Sequence, residues 1–141
     1  MELAFEQKQR SCLHRTAHLS LAQEQTQELI IPDSMPDASR TLICCAEPEV
    51  QSKTNREGSL LVTGTLRTSC LYADEAGSLQ LLTSELPFTV KLESAELREE
   101  TQTLVRCCVR SADSRLINSR KVLLRVTVLV QADGYEPQTE S

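Results

Sequence analysis

The chain has 141 residues, 40% of them apolar and 25% charged, with a net charge of −5. That size reads as one globular domain standing on a hydrophobic core, without metal or disulfide staples. The acidic balance, with no Trp and only two Phe and two Tyr, argues against nucleic-acid binding, which calls for a basic face and stacking platforms. No apolar run approaches the ~18 residues of a membrane span. The acidic start Met1-Glu2-Leu3-Ala4-Phe5-Glu6 lacks the apolar core of a secretion signal.

In chain order, the first element spans the region of Cys12 to Leu21. Leu13, Ala17, Leu19 and Leu21 share one parity, with Arg15 as the exception. Cys12, His14, Thr16, His18 and Ser20 take the other side. Such alternation favours a strand with one polar face over a helix starting near Ser11. A polar run, Gln23 to Glu28, then enters an apolar strand, Leu29-Ile30-Ile31. It stops at two Pro-Asp steps, Pro32-Asp33 and Pro36-Asp37. Pro36 to Arg40 reads as one helical turn, since Pro suits a first helical position. Asn55 to Gly58 reads as a hairpin loop. Leu60, Val62, Gly64, Leu66, Cys70 and Tyr72 alternate with polar neighbours as a half-buried strand.

Asp74-Glu75-Ala76-Gly77 is a second hairpin loop, with Gly available for a positive φ. A strand pair is expected around Leu79–Leu82 and Pro87–Leu92, and another strand over Thr103–Arg110. Ser111 to Lys121, rich in Asp, Ser and Asn, reads as a longer connection. Val122 to Gln131 is a strand covered in part on both faces, because Leu123 and Leu129 interrupt its polar side. The fold class is therefore all-β, an antiparallel sandwich with jelly-roll-like or barrel-like alternatives and at most one helical turn. The expected organisation is an arm or edge strand over 1–22, a β domain over 23–135 and a flexible tail over 136–141.

Chemical sites are scarce. There is no GxSxG, HExxH, P-loop or GxGxxG. Asp33 and Asp37 each follow a proline and read as turn residues more readily than as a catalytic carboxylate pair. Asp113, Arg115, Asn118, Arg120 and Lys121 form a polar set that either pairs with Asp33 and Asp37 across the fold, the favoured reading, or meets a partner. Cys12, His14 and His18 could share a strand face, but His14 and His18 would stand ~13 Å apart, too far for one ion. Solvent-facing histidines are the plainer reading, and neither a metal nor a cofactor is expected.

Of the six cysteines, Cys44-Cys45 and Cys107-Cys108 are adjacent pairs. Neighbours in a strand point to opposite faces, so neither pair chelates one metal. Parity places Cys44, Cys70 and Cys107 inside as small core residues. It places Cys12, Cys45 and Cys108 outside as candidates for intermolecular disulfides.

The run Gln25-Thr26-x-Glu28 leading to Ile31-Pro32-Asp33-x-x-Pro36-Asp37-x-x-Arg40 resembles the SPOCS domain of spore-coat morphogenetic, SipL-like proteins. Three later stretches resemble it in the same order. They are Val62-Thr63-Gly64-x-Leu66 with Cys70-Leu71-Tyr72, then Leu86-Pro87-Phe88, then Val109-Arg110-Ser111-x-Asp113-x-Arg115-x-x-Asn118-x-Arg120-Lys121-Val122. The resemblance spans roughly residues 10–135. It implies a non-enzymatic module that helps build the coat around the forespore, in the mother-cell cytoplasm. The implied partners are coat or envelope proteins and further copies of the chain. In SipL-like relatives a LysM domain docks onto the coat-basement ATPase. This chain shows no LysM, so that partner is not carried over. The chain is expected to be a stand-alone relative or the first module of a longer protein. Residues 1–22 are expected to mediate subunit contact, and Cys12, Cys45 or Cys108 to crosslink subunits after mother-cell lysis. Alternatives are a spore-surface or extracellular fibre subunit and a module binding peptidoglycan fragments. The latter is disfavoured by the few aromatic residues.

Overall fold

The computed structural model describes residues 11–139, and all of its regular structure is strand. Six strands follow in order: β1 (Ser11–Ile30), β2 (Ala38–Arg56), β3 (Ser59–Asp74), β4 (Leu79–Glu93), β5 (Gln102–Asn118) and β6 (Lys121–Thr139). They form two three-stranded antiparallel sheets, β1-β6-β5 and β2-β3-β4. The inner faces pack as a β-sandwich. The central strands carry the cleanest alternation. Leu60, Val62, Leu66, Cys70 and Tyr72 of β3 are fully buried, as are Val122, Leu124, Val126, Val128 and Val130 of β6.

Edge strands β2 and β5 run alongside each other, and side chains join them. Thr41 Oγ1 donates to the Ser114 carbonyl at 3.3 Å, Lys53 to the Thr103 carbonyl and Asn55 to the Thr101 carbonyl. Along the other seam, Gln23 Nε2 donates to the Thr89 carbonyl of β4 at 3.1 Å. The two mid-strand prolines both sit on edge strands, Pro48 on β2 and Pro87 on β4. A missing N–H is tolerated there when it faces away from the ladder. Pro87 therefore does not divide its segment. The expected pair of strands around Leu79–Leu82 and Pro87–Leu92 is one strand.

Three further expectations change. Pro36 and Asp37 are not helical, and Ala38 to Arg40 already belong to β2. Ser111 to Asn118 continues β5 instead of forming a long connection. Ala112, Ser114 and Leu116 turn inward, because a bulge between Val109 and Ser111 shifts the inward-facing positions from odd to even numbers. β1 runs unbroken through residues 22 and 23, and β6 stays paired with β1 as far as Thr139. Residues 11–22 are thus more than half of an edge strand, and residues 136–139 are strand. Residues 1–10, 140 and 141, which carry the rest of the expected arm and tail, lie outside the described residues.

Gly64 shows why this backbone needs a glycine in mid-strand. A Cβ there would sit 2.3 Å from the Glu49 carbonyl oxygen and 2.7 Å from the ring of Phe88, its cross-strand partner. Phe88 covers the space that a side chain would have taken.

Candidate functional site

Pro32, Asp33, Pro36, Asp37, Asn118 and Arg120 gather at the end of the sandwich where three connections meet: the β1–β2 loop (31–37), the β3–β4 turn (75–78) and the β5–β6 hairpin tip, Ser119-Arg120. Two prolines shape the loop. Each fixes its own φ and holds the preceding residue extended, so β1 cannot continue. Met35 N donates to the Pro32 carbonyl at 2.9 Å, closing a turn with Asp33 and Ser34 at its centre.

Arg120 holds this loop. Its NH1 donates to the Met35 carbonyl at 2.7 Å and to Asp37 Oδ1 at 3.0 Å. Its NH2 donates to the Ile31 carbonyl at 2.9 Å and to the Pro32 carbonyl at 2.6 Å. The hairpin backbone completes the clasp. Ile31 N donates to the Arg120 carbonyl and Ala38 N to the Ser119 carbonyl, at 2.8 and 2.9 Å. Asn118 Oδ1 accepts from Arg120 N at 2.8 Å and fixes the tip. A planar guanidinium with donors in a fixed fork suits several carbonyls at once, where a lysine would act as a point charge.

Beneath the loop lies an apolar cluster of Leu29, Ile31, Ala38, Cys70, Tyr72, Leu82, Val122 and Leu124. Tyr72 is fully buried, and its hydroxyl donates to the Pro36 carbonyl at 2.9 Å. Burial pushes its phenol above the usual range, against the opposing pull of Arg120. Sequence reasoning noted Tyr72 as part of a motif and missed this role.

The remaining sequence-selected residues divide. Asp37, Asn118 and Arg120 meet in the clasp. Asp33 is exposed in the turn, and Arg40 is exposed on β2 opposite Ala73. Asp113 and Arg115 lie along β5, opposite Arg125 and Leu123 of β6, away from the clasp. The expected polar set is therefore two sets, because β5 continues where a loop was read.

Cys70 is buried, Cys44 and Cys107 are half-buried, and Cys12, Cys45 and Cys108 are exposed. Burial, with Cys70, Cys45 and Asp113 adding to it, pushes the Cys44 thiol up to about 11. Burial likewise raises Cys70, opposed by its hydrogen bond to Ser114, and Cys107, reinforced by Cys108.

Cys12, His14 and His18 do not share a face. The bulge between Arg15 and Ala17 reverses the parity of β1 there. His18 instead hydrogen-bonds Asp133 on the outer face of β6, Nδ1 to Oδ1, at 2.5 Å. Arg15 approaches the same oxygen at 3.8 Å, and Arg106 approaches Oδ2 at 3.5 Å. The His18 hydrogen bond first, then the charges of His18, Arg106 and Arg15, hold the Asp133 carboxyl below its usual range against the opposing effect of desolvation. The only sequence signal for this cluster was an Asp set between Ala132 and Gly134.

A two-sheet antiparallel sandwich with its end loop clasped by a half-buried arginine defines an all-β module. The family model described as SipL, SPOCS domain matches residues 37–117, more than half of the chain, and the chain belongs to that sporulation-related family. The matched span opens at Asp37 and closes at Ile117. It leaves out Pro32, Asp33, Pro36, Asn118 and Arg120, and with them β1 and β6. No curated protein and no solved structure matches the chain.

Proposed function

We propose that the chain is a non-enzymatic assembly module of the endospore coat or envelope, acting through protein–protein contacts that include its own copies. The observation that carries this reading is the division of labour between the end of the sandwich and its faces. Arg120 turns inward, onto loop carbonyls and Asp37. The outer face of the β2-β3-β4 sheet carries a cross-strand row of Ile43, Leu71 and Leu81, with Leu79 beside it. Ile43, Leu81 and Leu79 are 58%, 57% and 61% exposed. Contiguous apolar surface of this kind marks interaction sites more often than chance exposure does.

The module works in the mother-cell cytoplasm at the forespore surface. Residues 11–22 support a modified version of the expected subunit contact. Their backbone is already paired with β6, so any contact there uses side chains or the outer edge of β1. Cys12, Cys45 and Cys108 are exposed, which supports the reading that they crosslink subunits. A fluorescent fusion expressed in a sporulating cell tests the reading. It should form a shell around the forespore; diffuse mother-cell fluorescence throughout sporulation would refute it.

A further inference from the structure

The β2–β3 ladder keeps one register from Ile43 opposite Leu71 to Val50 opposite Gly64, and within it Cys44 stands directly opposite Cys70. Pro48, opposite Leu66 in the same run, has no N–H to give to β3. Antiparallel ladders alternate hydrogen-bonded and non-hydrogen-bonded pairs, and a strand proline belongs at the second kind. Cys44 is four residues from Pro48 in unbroken register, so its pair with Cys70 is of the same kind. β3 agrees: Asp74, of the same parity as Cys70, donates its N–H to Ser78, away from β2. The Cα atoms of such a pair lie ~4.5 Å apart with their side chains close, within the roughly 4.4–6.8 Å that a disulfide spans. Cys45, on the outer parity opposite Ser69, cannot join the pair.

We propose that Cys44 and Cys70 are an oxidisable pair that closes to an intrachain disulfide across β2 and β3 when the protein meets a hydroperoxide. Cys44 is the partly accessible member and Cys70 the fully buried one, which orders the steps; the raised Cys44 thiol makes the first of them slow at neutral pH. The Cys44 sulfur takes one oxygen from hydrogen peroxide, giving a sulfenic acid and one water. The Cys70 sulfur then attacks the Cys44 sulfur. The S–S bond forms, the S–O bond breaks, and the hydroxyl leaves with the Cys70 proton as a second water. Two thiols are oxidised to one disulfide, and one peroxide is reduced to two waters. Cys70 and Tyr72 belong to the cluster beneath the Arg120 clasp, so the bond would tie edge strand β2 to the central strand at that end.

The test treats the full-length Cys45→Ser protein with hydrogen peroxide, then alkylates it and digests it with trypsin. Cys44 and Cys70 fall in different tryptic peptides, and Cys45→Ser removes the ambiguity of the adjacent thiol. The expected product is a linked Cys44–Cys70 peptide pair from monomeric protein. A rise in Tm of about 10 °C, reversed by dithiothreitol, should accompany it. Fragmentation spectra of the wild-type protein give a second reading with no substitution. Recovery of both peptides unlinked would overturn the proposal. So would Cys44 oxidised beyond the sulfenic acid while Cys70 remains a thiol, or linkage only between chains.

Discussion

Arg120, at the tip of the β5–β6 hairpin, donates to Asp37 at 3.0 Å across the end of the sandwich while the same guanidinium holds the carbonyls of Ile31, Pro32 and Met35. The ion pair is the lesser part of this contact. Asp37 is half exposed, and surface ion pairs contribute little. Hydrogen bonds from a charged donor to carbonyls that lose their water are worth more. Arg120→Ala should therefore cost about 3 kcal/mol, and Asp37→Asn less than about 1 kcal/mol. Urea unfolding of the two variants checks the ranking. Arg120→Lys should fall near Ala, because an ammonium cannot span four acceptors.

Tyr72→Phe leaves the Pro36 carbonyl without its buried donor and removes little volume. The expected loss is about 1 kcal/mol, read as a lower urea midpoint at unchanged slope.

Gly64→Ala pushes a methyl group into the Glu49 carbonyl and the Phe88 ring. The backbone of β2 cannot yield as a flexible side chain would. The substitution should cost about 2–3 kcal/mol. The double variant Gly64→Ala/Phe88→Leu should recover only the part due to the ring, and a thermal melt of both proteins separates the two contributions.

Asp133 makes stability depend on acid. Its folded carboxyl titrates below the usual range, chiefly because of the His18 hydrogen bond. The stabilisation is complete above the unfolded carboxyl value of about 3.9 and is lost as pH falls through the depressed folded value. The stability gap between wild type and Asp133→Asn should be level above about pH 5 and should shrink steadily below about pH 4. Denaturation curves between pH 2 and 7 read this directly.

The matched span should not fold on its own. Residues 37–117 lack β6, the central strand of its sheet, and five of the buried core side chains between Val122 and Val130. A fragment of those residues should show no sharp amide dispersion by NMR, while the full chain should. A well-dispersed fragment spectrum would contradict the sandwich topology.

The strands that proved easiest to read were β3 and β6, where one face is buried along the whole length and period-two alternation is undiluted. Edge strands were harder. On β5, Asp113, Ser114 and Asn118 looked like a loop because an edge strand exposes one face and one side. On β4, Pro87 looked like a break because an edge tolerates it. Parity sorted five of the cysteines, with Cys70 buried, Cys44 and Cys107 half-buried and Cys45 and Cys108 exposed; Cys12 is exposed too, but upstream of the bulge that reverses the parity of β1. The Thr16 bulge was invisible to parity, so the shared face of Cys12, His14 and His18 failed, and the Asp133 cluster passed unseen. The pairing of Asp37 with Arg120 followed from complementary charge at two loops. The carbonyls that bind most of the guanidinium left no mark in the sequence, since every residue has one.

The claim that this module assembles through its outer faces rests most directly on the native mass of the full chain, measured by light scattering with and without reductant. The account predicts a particle larger than the 15.7 kDa monomer, reduced in mass by Ile43→Lys/Leu81→Lys at unchanged Tm. A 15.7 kDa monomer under both conditions would contradict it.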